Sequence, residues 1–335
     1  TTDCNLACKY CYADENKVSY LDFNLAKRVI DKFVEKQKPK ELSIDFHGGG
    51  EPTLALNLMQ KIIKYVKAKK IKSNFNIQTN GVVSNHTRHW LFENMRSIAI
   101  SCDGPPQIQD RQRPLKNGQK SSFFVEKTIK FLVDNNYKNL FINTVVSSFS
   151  VNKMEEIIKY FYNLGVKNIG FTLLSETKRS KKNKVYPPSF DKYIENALKI
   201  TKFADEHKIK IRLELLVMQK PRPYFCGALT PQFCLTSDGW LSSCYEALSK
   251  NSELQEFVYA KFNLKKNRFE YNNSKVNYLK RRRVENIQEC QNCYLKWVCA
   301  GDCPARTYKQ TGSIFKPYKK RCEASRKLVR EYLIY

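Results

Sequence analysis

Three cysteines lie close together in the opening stretch of the chain, TTDCNLACKYCY. They are Cys4, Cys8 and Cys11, and their spacing is C-x3-C-x2-C. A closed structural zinc site normally takes four protein ligands, and a disulfide would use two thiols and strand the third. Three thiolates without a fourth therefore indicate a metal centre that keeps one coordination position open for another molecule.

A second group of cysteines lies far downstream, in the pattern C-x12-G-x4-C followed by C-x2-C-x5-C-x3-C and a final cysteine. The members, with one extra cysteine inside the first part, are Cys226, Cys234, Cys244, Cys290, Cys293, Cys299, Cys303 and Cys322. Eight thiolates can close two Cys4 sites. Two zinc ribbons are the alternative, although the x5 and x3 spacings fit zinc less well. The pairing cannot be read from the spacing.

The chain has 12 cysteines in 335 residues, and the long middle segment holds only Cys102. A secreted disulfide scaffold is usually short and spreads its cysteines throughout. Two clusters separated by a cysteine-poor middle instead favour metal chemistry in a reducing compartment. Cys102 itself is expected to be a small buried hydrophobic residue.

The segment between the two cysteine groups predicts alternating strands and helices. Strands are expected at 41–47, 74–79, 96–101, 140–146 and 168–174, and apolar stripes at helical spacing predict helices between them and at 25–33 and 190–206. A repeated β/α pattern implies a parallel sheet with helical crossovers. We therefore predict an α/β fold: a partial (β/α)6 TIM-like barrel over 1–215, with its first strand upstream of residue 1, and a C-terminal cysteine-rich auxiliary-cluster domain over 216–335.

Polar residues gather where these predicted strands end. They lie at 47–51, 78–80, 101–103 and at Asn143. In a β/α barrel the chemistry takes place at the C-terminal ends of the strands. The pattern thus predicts one site formed by these strand ends together with the N-terminal cysteine loop.

Composition limits the classes of partner. Hydrophobic residues make up 42% and charged residues 27%, as in ordinary soluble proteins, and no apolar run approaches the roughly 20 residues that span a bilayer. We therefore expect no membrane partner. The net charge of +27 attracts acidic peptides or nucleic acid at low salt, although lysines scattered over solvent-facing helices explain it equally well.

The cysteine loop and the sequence Gly49-Gly50-Glu51-Pro52 together resemble the radical S-adenosylmethionine (SAM) superfamily. In that family three cysteines hold three irons of a [4Fe–4S] cluster, and the fourth iron binds the amino and carboxylate groups of SAM. The resemblance implies reductive cleavage of SAM to a 5′-deoxyadenosyl radical that abstracts a hydrogen. A turn followed by a helix with proline at its first position is the alternative interpretation of the glycine motif.

The resemblance also implies roles for individual residues around SAM. Tyr10 would pack against adenine; Gly49, Gly50 and Glu51 would bind the methionyl amino group; Ser101 and Asp103 would bind the ribose hydroxyls. Further candidates for contact with SAM are Gln78, Asn80, Arg113 and Asn143, each of which could instead be a cap at the end of a strand.

The downstream cysteines match the signature of the SPASM extension, which is found on radical SAM enzymes that modify peptides and proteins. By resemblance to anaerobic sulfatase-maturing enzymes, one auxiliary [4Fe–4S] cluster uses Cys226, Cys234, Cys244 and Cys303, and the other uses Cys290, Cys293, Cys299 and Cys322. Those relatives have a catalytic aspartate after the third auxiliary cysteine. Here Tyr245 stands in that place, followed by Glu246, so sulfatase maturation is not expected and Tyr245 is either a proton or electron acceptor or a packing residue.

The sequence thus predicts a radical SAM/SPASM enzyme with SAM and three [4Fe–4S] clusters. Its substrate would be a peptide or protein, and an acidic one would suit the basic surface. The product would be a thioether, a C–C crosslink, an oxidised side chain or an epimer. We expect an anaerobic cytoplasmic setting and a reducing partner such as ferredoxin or flavodoxin. Two alternatives remain: a radical SAM enzyme acting on RNA, although no separate nucleic-acid-binding module is visible, and a non-catalytic zinc protein that binds nucleic acid.

Overall fold

The computed structural model describes residues 1–13, 18–217, 220–230 and 233–334, and these form two compact units. Unit 1 comprises Thr1–Asn16 and Pro39–Glu214, and unit 2 comprises Lys17–Lys38 and Leu215–Tyr335. The α-helices α1 to α12 are Phe23–Gln37, Leu56–Ala68, Asn85–Asn94, Pro106–Gln112, Ser122–Asp134, Met154–Asn163, Lys178–Lys182, Phe190–Glu206, Asn273–Arg281, Lys296–Cys299, Pro304–Thr311 and Lys319–Ile334. The strands β1 to β10 are Glu41–Phe46, Lys72–Thr79, Ser97–Ser101, Leu140–Val146, Asn168–Leu173, Lys210–Leu213, Cys234–Leu235, Trp240–Ser242, Val258–Asn263 and Arg268–Tyr271.

Unit 1 is built on a parallel sheet in which β1 to β6 follow one another in sequence order. Each strand is joined to the next through at least one helix, and short 3-10 turns add to some of the connections. This is the strand order of a β/α barrel that stops at six strands, so the predicted α/β class and partial (β/α)6 arrangement are confirmed. The carboxyl ends of all six strands therefore meet at one edge of the sheet.

The alternation of side chains along the strands separates a core face from a polar face. In β4, the side chains of Leu140, Ile142 and Val146 are buried, whereas Asn143 between them is only half-buried. Because successive side chains in a strand point to opposite faces, the buried set lies on one face, and Asn143 lies on the other face with the half-buried Phe141 and Val145. The same alternation places Gln78 of β2 on the polar face.

The helices of unit 1 bury one apolar stripe each. In α6, Met154, Ile157, Ile158 and Phe161 are buried, at the i, i+3, i+4 and i+7 positions that share one helix face. Helix α8 begins at Ser189, whose hydroxyl accepts a hydrogen bond from the backbone of Lys192 as an N-cap. These helices cover the apolar side of the sheet and leave its polar side and strand ends to form the site.

Two expectations differ from the structure. The sixth strand is β6, Lys210–Leu213, which was not among the predicted strands, although Ile211 and Leu213 alternate there with basic residues. The strand predicted upstream of residue 1 stays a prediction. The predicted helix at 25–33 is present as α1, but it groups with unit 2 rather than with residues 1–215, because its buried Leu25 and Val29 pack against Phe262.

Unit 2 holds an antiparallel sheet in the order β10-β9-β8-β7, with α1 and α9 to α12. Its largest apolar cluster surrounds Phe257 and includes Leu254, Leu279 and Ile314. Strand β7 consists of only Cys234 and Leu235. Short helices and turns make up much of the rest of the unit. Such irregular backbone brings distant cysteines together without needing long elements.

No helix in the described part of the chain is long and apolar enough to cross a membrane.

Candidate active site and cysteine clusters

The N-terminal cysteine loop is held by backbone hydrogen bonds to the segment that follows α4. Ala7 N donates to Pro114 O at 2.9 Å, and Lys9 N donates to Gln112 O at 2.9 Å. Lys116 N in turn donates to Asn5 O at 2.9 Å. The three cysteines therefore stand on a segment whose backbone is fixed by hydrogen bonds to a distant part of the sequence.

The thiols of this loop accept hydrogen bonds from surrounding donors. Cys4 Sγ lies 3.4 Å from Leu6 N and 3.7 Å from Asn80 Nδ2, and Cys8 Sγ lies 4.0 Å from Arg113 Nη1. Burial raises the pKa of the Cys8 thiol to about 12, Arg113 lowers it, and Cys11 and Cys4 raise it further. Three thiols that interact with one another and face amide and guanidinium donors form a site suited to thiolate ligands, whose negative charge these donors stabilise.

The glycine motif packs directly against the residues that precede Cys4. A Cβ atom on Gly50 would lie 2.0 Å from Asp3 O, a distance no real side chain could hold. Glu51 N donates to Asp3 O at 2.7 Å. The strand-end turn at Gly50 therefore requires glycine, because the backbone of the cysteine segment occupies the place of a side chain.

Glu51 is buried and acts first as an organiser of its own turn. One oxygen, Oε1, accepts hydrogen bonds from Thr53 N, Thr53 Oγ1 and Thr79 Oγ1, and the other, Oε2, accepts from Asn80 N at 2.7 Å. Burial raises the pKa of Glu51, and these donors lower it. Only Oε2, with one protein donor, has acceptor capacity left for the ammonium contact that the sequence predicts, and that contact stays a prediction.

Asp103 forms the centre of a buried polar network. Its side chain is fully buried; Oδ2 accepts from Tyr10 OH at 2.5 Å and Gln112 Nε2 at 2.7 Å, and Oδ1 accepts from Val145 N at 3.0 Å. Arg113 Nε forms an ion pair with Oδ1 at 3.0 Å. Both oxygens therefore accept from protein donors in this structure, and the expected contact between Asp103 and a ribose stays a prediction.

In this network Asp103 positions Tyr10 and Arg113. Arg113 lies 5.2 Å from the centre of the Tyr10 ring, and the tyrosine is itself buried. Burial opposes the charge of Arg113, but Asp103 and its other neighbours outweigh this effect and raise the arginine pKa. Asp103 thus keeps a cation in place beside Cys8.

The remaining predicted SAM contacts lie on the polar face of the sheet, near the strand ends. Gln78 Nε2 donates to Ser101 Oγ at 2.7 Å, and Thr172 Oγ1 donates to Asn143 Oδ1 at 3.0 Å. The structure brings each pair together across neighbouring strands and leaves all four side chains partly exposed. Their contact with SAM stays a prediction.

Several residues of the site were missed by sequence reasoning. They are Thr53, Gln112 and Thr172, together with Asn76, which bridges Ser43, Asp45 and Ser97 on the same polar face. The signal for the strand residues was available, because polar residues alternate with apolar ones through β2, KSNFNIQT. Gln112 gives no such signal, since its role depends on how α4 ends beside β3.

Four auxiliary cysteines of unit 2, Cys226, Cys234, Cys244 and Cys303, form one interacting group. Burial raises the pKa of Cys244 to about 12, and Cys226 and Cys234 contribute further to the rise. Burial also raises the pKa of Cys303, and Cys244 adds to that effect. These are the four thiols that the resemblance assigns to one auxiliary cluster.

The other four thiols form a second interacting group. Burial raises the pKa of Cys290 to about 11, with added effects of Cys299 and Cys293. Burial likewise raises the pKa of Cys322 to about 11, with further effects of Cys290 and Cys293. Packing agrees with this grouping, because Cys226, Cys244 and Cys303 lie against one apolar cluster and Cys293 and Cys299 lie against another, although the two sets interleave in sequence.

Backbone amides support these thiols as acceptors. The donors are Ala228 to Cys226, Glu246 to Cys244, Asp302 to Cys299 and Arg306 to Cys303. Among the described residues, no group of His, Cys, Asp or Glu is placed to hold a single metal ion. Cysteine thiolates are the ligands that hold [4Fe–4S] clusters. Each of the two sets of four thiols, called quartets below, has the ligand chemistry that such a cluster needs.

Tyr245 and Cys102 lie outside these ligand sets. Tyr245 is half-buried, and its predicted role as an acceptor stays a prediction. The neighbouring Glu246 forms an ion pair with Lys309 at 2.6 Å. Cys102 is 2% exposed, as expected for a buried packing residue, and burial raises its thiol pKa to about 12, so it is poorly placed to donate hydrogen to a substrate.

The fold and the cysteine loop define the class of protein. Residues 1–161 match the model of the Radical SAM superfamily. This segment, a little under half of the chain, is similar to that superfamily, and it includes the three cysteines of the N-terminal loop and the Gly50 turn. This similarity favours an enzyme over the alternative of a non-catalytic zinc protein.

Comparison with curated proteins refines this placement. The chain is 35% identical to the uncharacterized protein MJ0907 of Methanocaldococcus jannaschii over 53% of its own length and 62% of that protein. It is 29% identical to a serine-type anaerobic sulfatase-maturating enzyme of Bacteroides thetaiotaomicron over 38% of its length and 34% of the relative. It is 25% identical to the radical SAM cyclopropyl synthase TigE of Paramaledivibacter caminithermalis over 98% of its length and 72% of the relative. The chain thus spans less than two thirds of the first two relatives.

Solved structures extend the similarity in fold to the whole chain. The structure described as "Native anSMEcpe with bound AdoMet and Kp18Cys peptide" aligns with 100% of this chain and 94% of its own, with a TM-score of 0.78 and 22% identity. At that identity the likeness establishes the fold of both units.

Proposed function

We propose that this radical SAM enzyme modifies a peptide or protein and carries two auxiliary [4Fe–4S] clusters in unit 2 besides the SAM-binding cluster of unit 1. The observation that carries the proposal is the packing of the downstream thiols on two apolar clusters, Cys226, Cys244 and Cys303 on one and Cys293 and Cys299 on the other, and the thiols of each set raise one another's pKa. A quartet of thiolates closes one cubane cluster. Two quartets in one small unit are most simply explained by two such clusters.

The substrate class is inferred from the relatives. One similar structure contains AdoMet together with a peptide, and another similar structure is described as bound to the precursor peptide SuiA. A relative that aligns with nearly the whole chain is a cyclopropyl synthase. The net charge of +27 favours an acidic peptide, which would be attracted at low salt. The same charge would suit RNA, so RNA modification is retained as an outcome of the test.

The bound cluster and SAM supply the radical that abstracts a hydrogen from the substrate. This chain's own residues bind and orient: Cys4, Cys8 and Cys11 provide the thiolates, and Asn80 and Arg113 donate to two of them. A hydrogen bond donated to a thiolate withdraws negative charge from its sulfur. A cluster bound by that sulfur would therefore be easier to reduce. The turn at Gly50 and the polar pair Gln78–Ser101 lie at the strand ends, where we propose that they contact SAM.

The auxiliary clusters are proposed to accept the electron that remains after hydrogen abstraction, or to bind the substrate. Electron acceptance leads to a net oxidation, such as a thioether, a C–C crosslink or an oxidised side chain. Tyr245, beside Cys244, is the candidate proton or electron acceptor. A ferredoxin or flavodoxin would supply the electron for SAM cleavage.

Two measurements test the proposal. The anaerobically reconstituted chain should bind about twelve irons, because three [4Fe–4S] clusters hold four each. Co-expression with an acidic candidate peptide, followed by mass spectrometry, should show a loss of hydrogen mass from the peptide. A value of about four irons would contradict the auxiliary clusters, and modification of RNA with no change in any peptide would contradict the substrate class. A Tyr245→Phe variant should retain its irons and SAM cleavage but form less product.

A further inference from the structure

The arginine at the end of α9 is the largest fully buried side chain of the described residues. Arg282 is 0% exposed. Its guanidinium donates only to backbone carbonyls: Nε to Ile314 O at 2.7 Å, Nη1 to Ala300 O at 3.3 Å, and Nη2 to Gly301 O. These contacts give each of the three guanidinium nitrogens one acceptor, and none of these acceptors carries a negative charge.

No carboxylate in the described part of the chain forms an ion pair with Arg282. Asp302, the carboxylate that most favours the charge of Arg282, accepts from Arg321 Nε at 2.5 Å and is thereby paired with another arginine. A buried charge without a partner costs several kcal/mol, so proteins retain one where an opposite charge is supplied by a bound group. The structure thus calls for negative charge close to Arg282.

Packing places Arg282 near thiols of both quartets. Ile314, which accepts from Nε, belongs to the apolar cluster on which Cys226 and Cys303 pack, and Ile287, which flanks Gly301 together with Arg282, packs with Cys290. After Asp302, the strongest electrostatic influences on the guanidinium come from Cys303 and Cys290, followed by Cys226. The same interaction is seen from the thiols, since Arg282 lowers the pKa of Cys226 and of Cys290 against the larger effect of burial. Cys226 and Cys303 belong to one quartet, and Cys290 belongs to the other.

The guanidinium also forms hydrogen bonds with the backbone between Cys299 and Cys303, a segment called the link here because it joins ligands of the two quartets. Ala300 and Gly301, which accept from it, lie between Cys299 of one quartet and Cys303 of the other. Gly301 has a φ of +77°, and a Cβ there would lie 3.2 Å from Arg282 Nη2 and 2.4 Å from Ile287 Cδ1. The backbone of the link is therefore shaped to admit the arginine.

We propose that Arg282 is a buried cation shared by the two auxiliary clusters and that it raises the reduction potential of both. The inference rests on the proposed function, because it requires the two clusters. A cubane with four thiolates carries net negative charge, which increases by one on reduction. A fixed positive charge in a low-dielectric interior stabilises the reduced form more than the oxidised form. Arg282 is thus a positioning residue that favours electron acceptance by the auxiliary clusters.

The test uses the full chain with Cys4→Ala, Cys8→Ala and Cys11→Ala, so that only the auxiliary clusters contribute to the signal. In this parent, Arg282→Gln should lower the ratio of reduced to oxidised cluster about tenfold at a fixed solution potential, which corresponds to about 59 mV for a one-electron couple. Arg282→Lys, which keeps the charge, should stay within about threefold of the parent. The potentials are read from redox titrations followed by electron paramagnetic resonance.

The control is Arg281→Gln, which removes the adjacent but exposed arginine and should leave the ratio unchanged. If Arg282→Gln loses its irons while Arg282→Lys retains them, the requirement for a charge at this position is supported. An unchanged ratio in an iron-loaded Arg282→Gln protein would overturn the proposal, and so would equal shifts or equal iron loss in the Gln and Lys variants. Failure of the parent itself to bind about eight irons would instead refute the proposed function.

Discussion

In unit 1 the thiols of the cysteine loop are surrounded by polar side chains, whereas in unit 2 most auxiliary thiols pack against apolar ones. Cys4 and Cys8 accept from Asn80 and Arg113, and buried Asp103 balances the arginine. By contrast, three members of the first quartet pack on the cluster around Phe257, and Cys293 and Cys299 pack on the cluster of Val217, Leu295 and Val329. The same ligand type, a cysteine thiol, is therefore surrounded by polar groups in unit 1 and mostly by apolar groups in unit 2.

A site with one open coordination position must admit a charged ligand, so polar groups around it remain useful after the metal is bound. A closed quartet admits no further ligand at its metal, so apolar packing can exclude water from it and lower the local dielectric. The comparison therefore predicts two separable kinds of failure. Damage in unit 1 should stop SAM cleavage, whereas damage in unit 2 should stop product formation after SAM has been cleaved.

The largest expected effect is complete loss of SAM cleavage in the variant Cys4→Ala, Cys8→Ala, Cys11→Ala. Without these thiolates the SAM-binding cluster has no ligands, so reconstituted protein with dithionite and SAM should release no 5′-deoxyadenosine. Chromatographic quantification of 5′-deoxyadenosine provides the measurement. Cys102→Ala is the matched control, since that thiol is buried outside every ligand set, and it should cleave SAM normally. Release from the triple variant at the control rate would remove the basis for the comparison.

The variant Cys290→Ala, Cys293→Ala should give the opposite pattern. It loses two ligands of one auxiliary quartet, so iron content should fall by about four per chain while some SAM cleavage persists. Product formation should be lost, because the auxiliary cluster is proposed to take up the remaining electron or to hold the substrate. Parallel assays of 5′-deoxyadenosine and of modified peptide distinguish the two steps. An unchanged product yield would show that this quartet is not needed for turnover.

The sequence predicted best those features whose parts are contiguous. The spacing of Cys4, Cys8 and Cys11 and the turn at Gly50 can be read directly, and the predicted strands agree with the structure within two residues at each end. Strand ends were also informative, because parallel strands must bring them to one edge. The class of enzyme followed from these local patterns.

Features that depend on tertiary packing could not be read in this way. The resemblance implied a ribose contact for Asp103, but nothing in the sequence indicated that Tyr10 and Gln112, from distant segments, donate to its carboxylate. Likewise, the stripe of α1 predicts a helix but not which apolar surface covers it, so its grouping with Phe262 in unit 2 was missed. Hydrophobic periodicity shows which face of a helix is apolar, but the surface that packs against that face depends on the tertiary fold.

A smaller effect is expected from Asp103→Asn, which leaves Arg113 buried without its counter-charge. Removal of one partner of a buried ion pair typically lowers the free energy of unfolding by about 3–5 kcal/mol. Anaerobic urea unfolding followed by circular dichroism measures this change. Asp45→Asn is the control, because Asp45 lies on the exposed polar face and should change stability by less than about 0.5 kcal/mol. Equal stability of the two variants would mean that the network around Asp103 does not support the cysteine loop.

The smallest effect is expected from Gly50→Ala, which adds one methyl group at the turn beside the cysteine segment. The new Cβ would meet Asp3 O at 2.0 Å, so the backbone must move, at a cost of about 1–3 kcal/mol for such overpacking. Because Gly50 is proposed to contact SAM, SAM affinity should fall by about tenfold or more, as measured by equilibrium dialysis of the reconstituted enzyme. Gly48→Ala is the matched control: its Cβ would meet Thr1 O at 3.5 Å, an ordinary contact, so its affinity should stay near that of the unmodified chain. If both variants bound SAM equally well, close packing of this turn on the cysteine segment would have no part in forming the site, and the contrast between an open polar site and closed apolar ones would rest on the thiol surroundings alone.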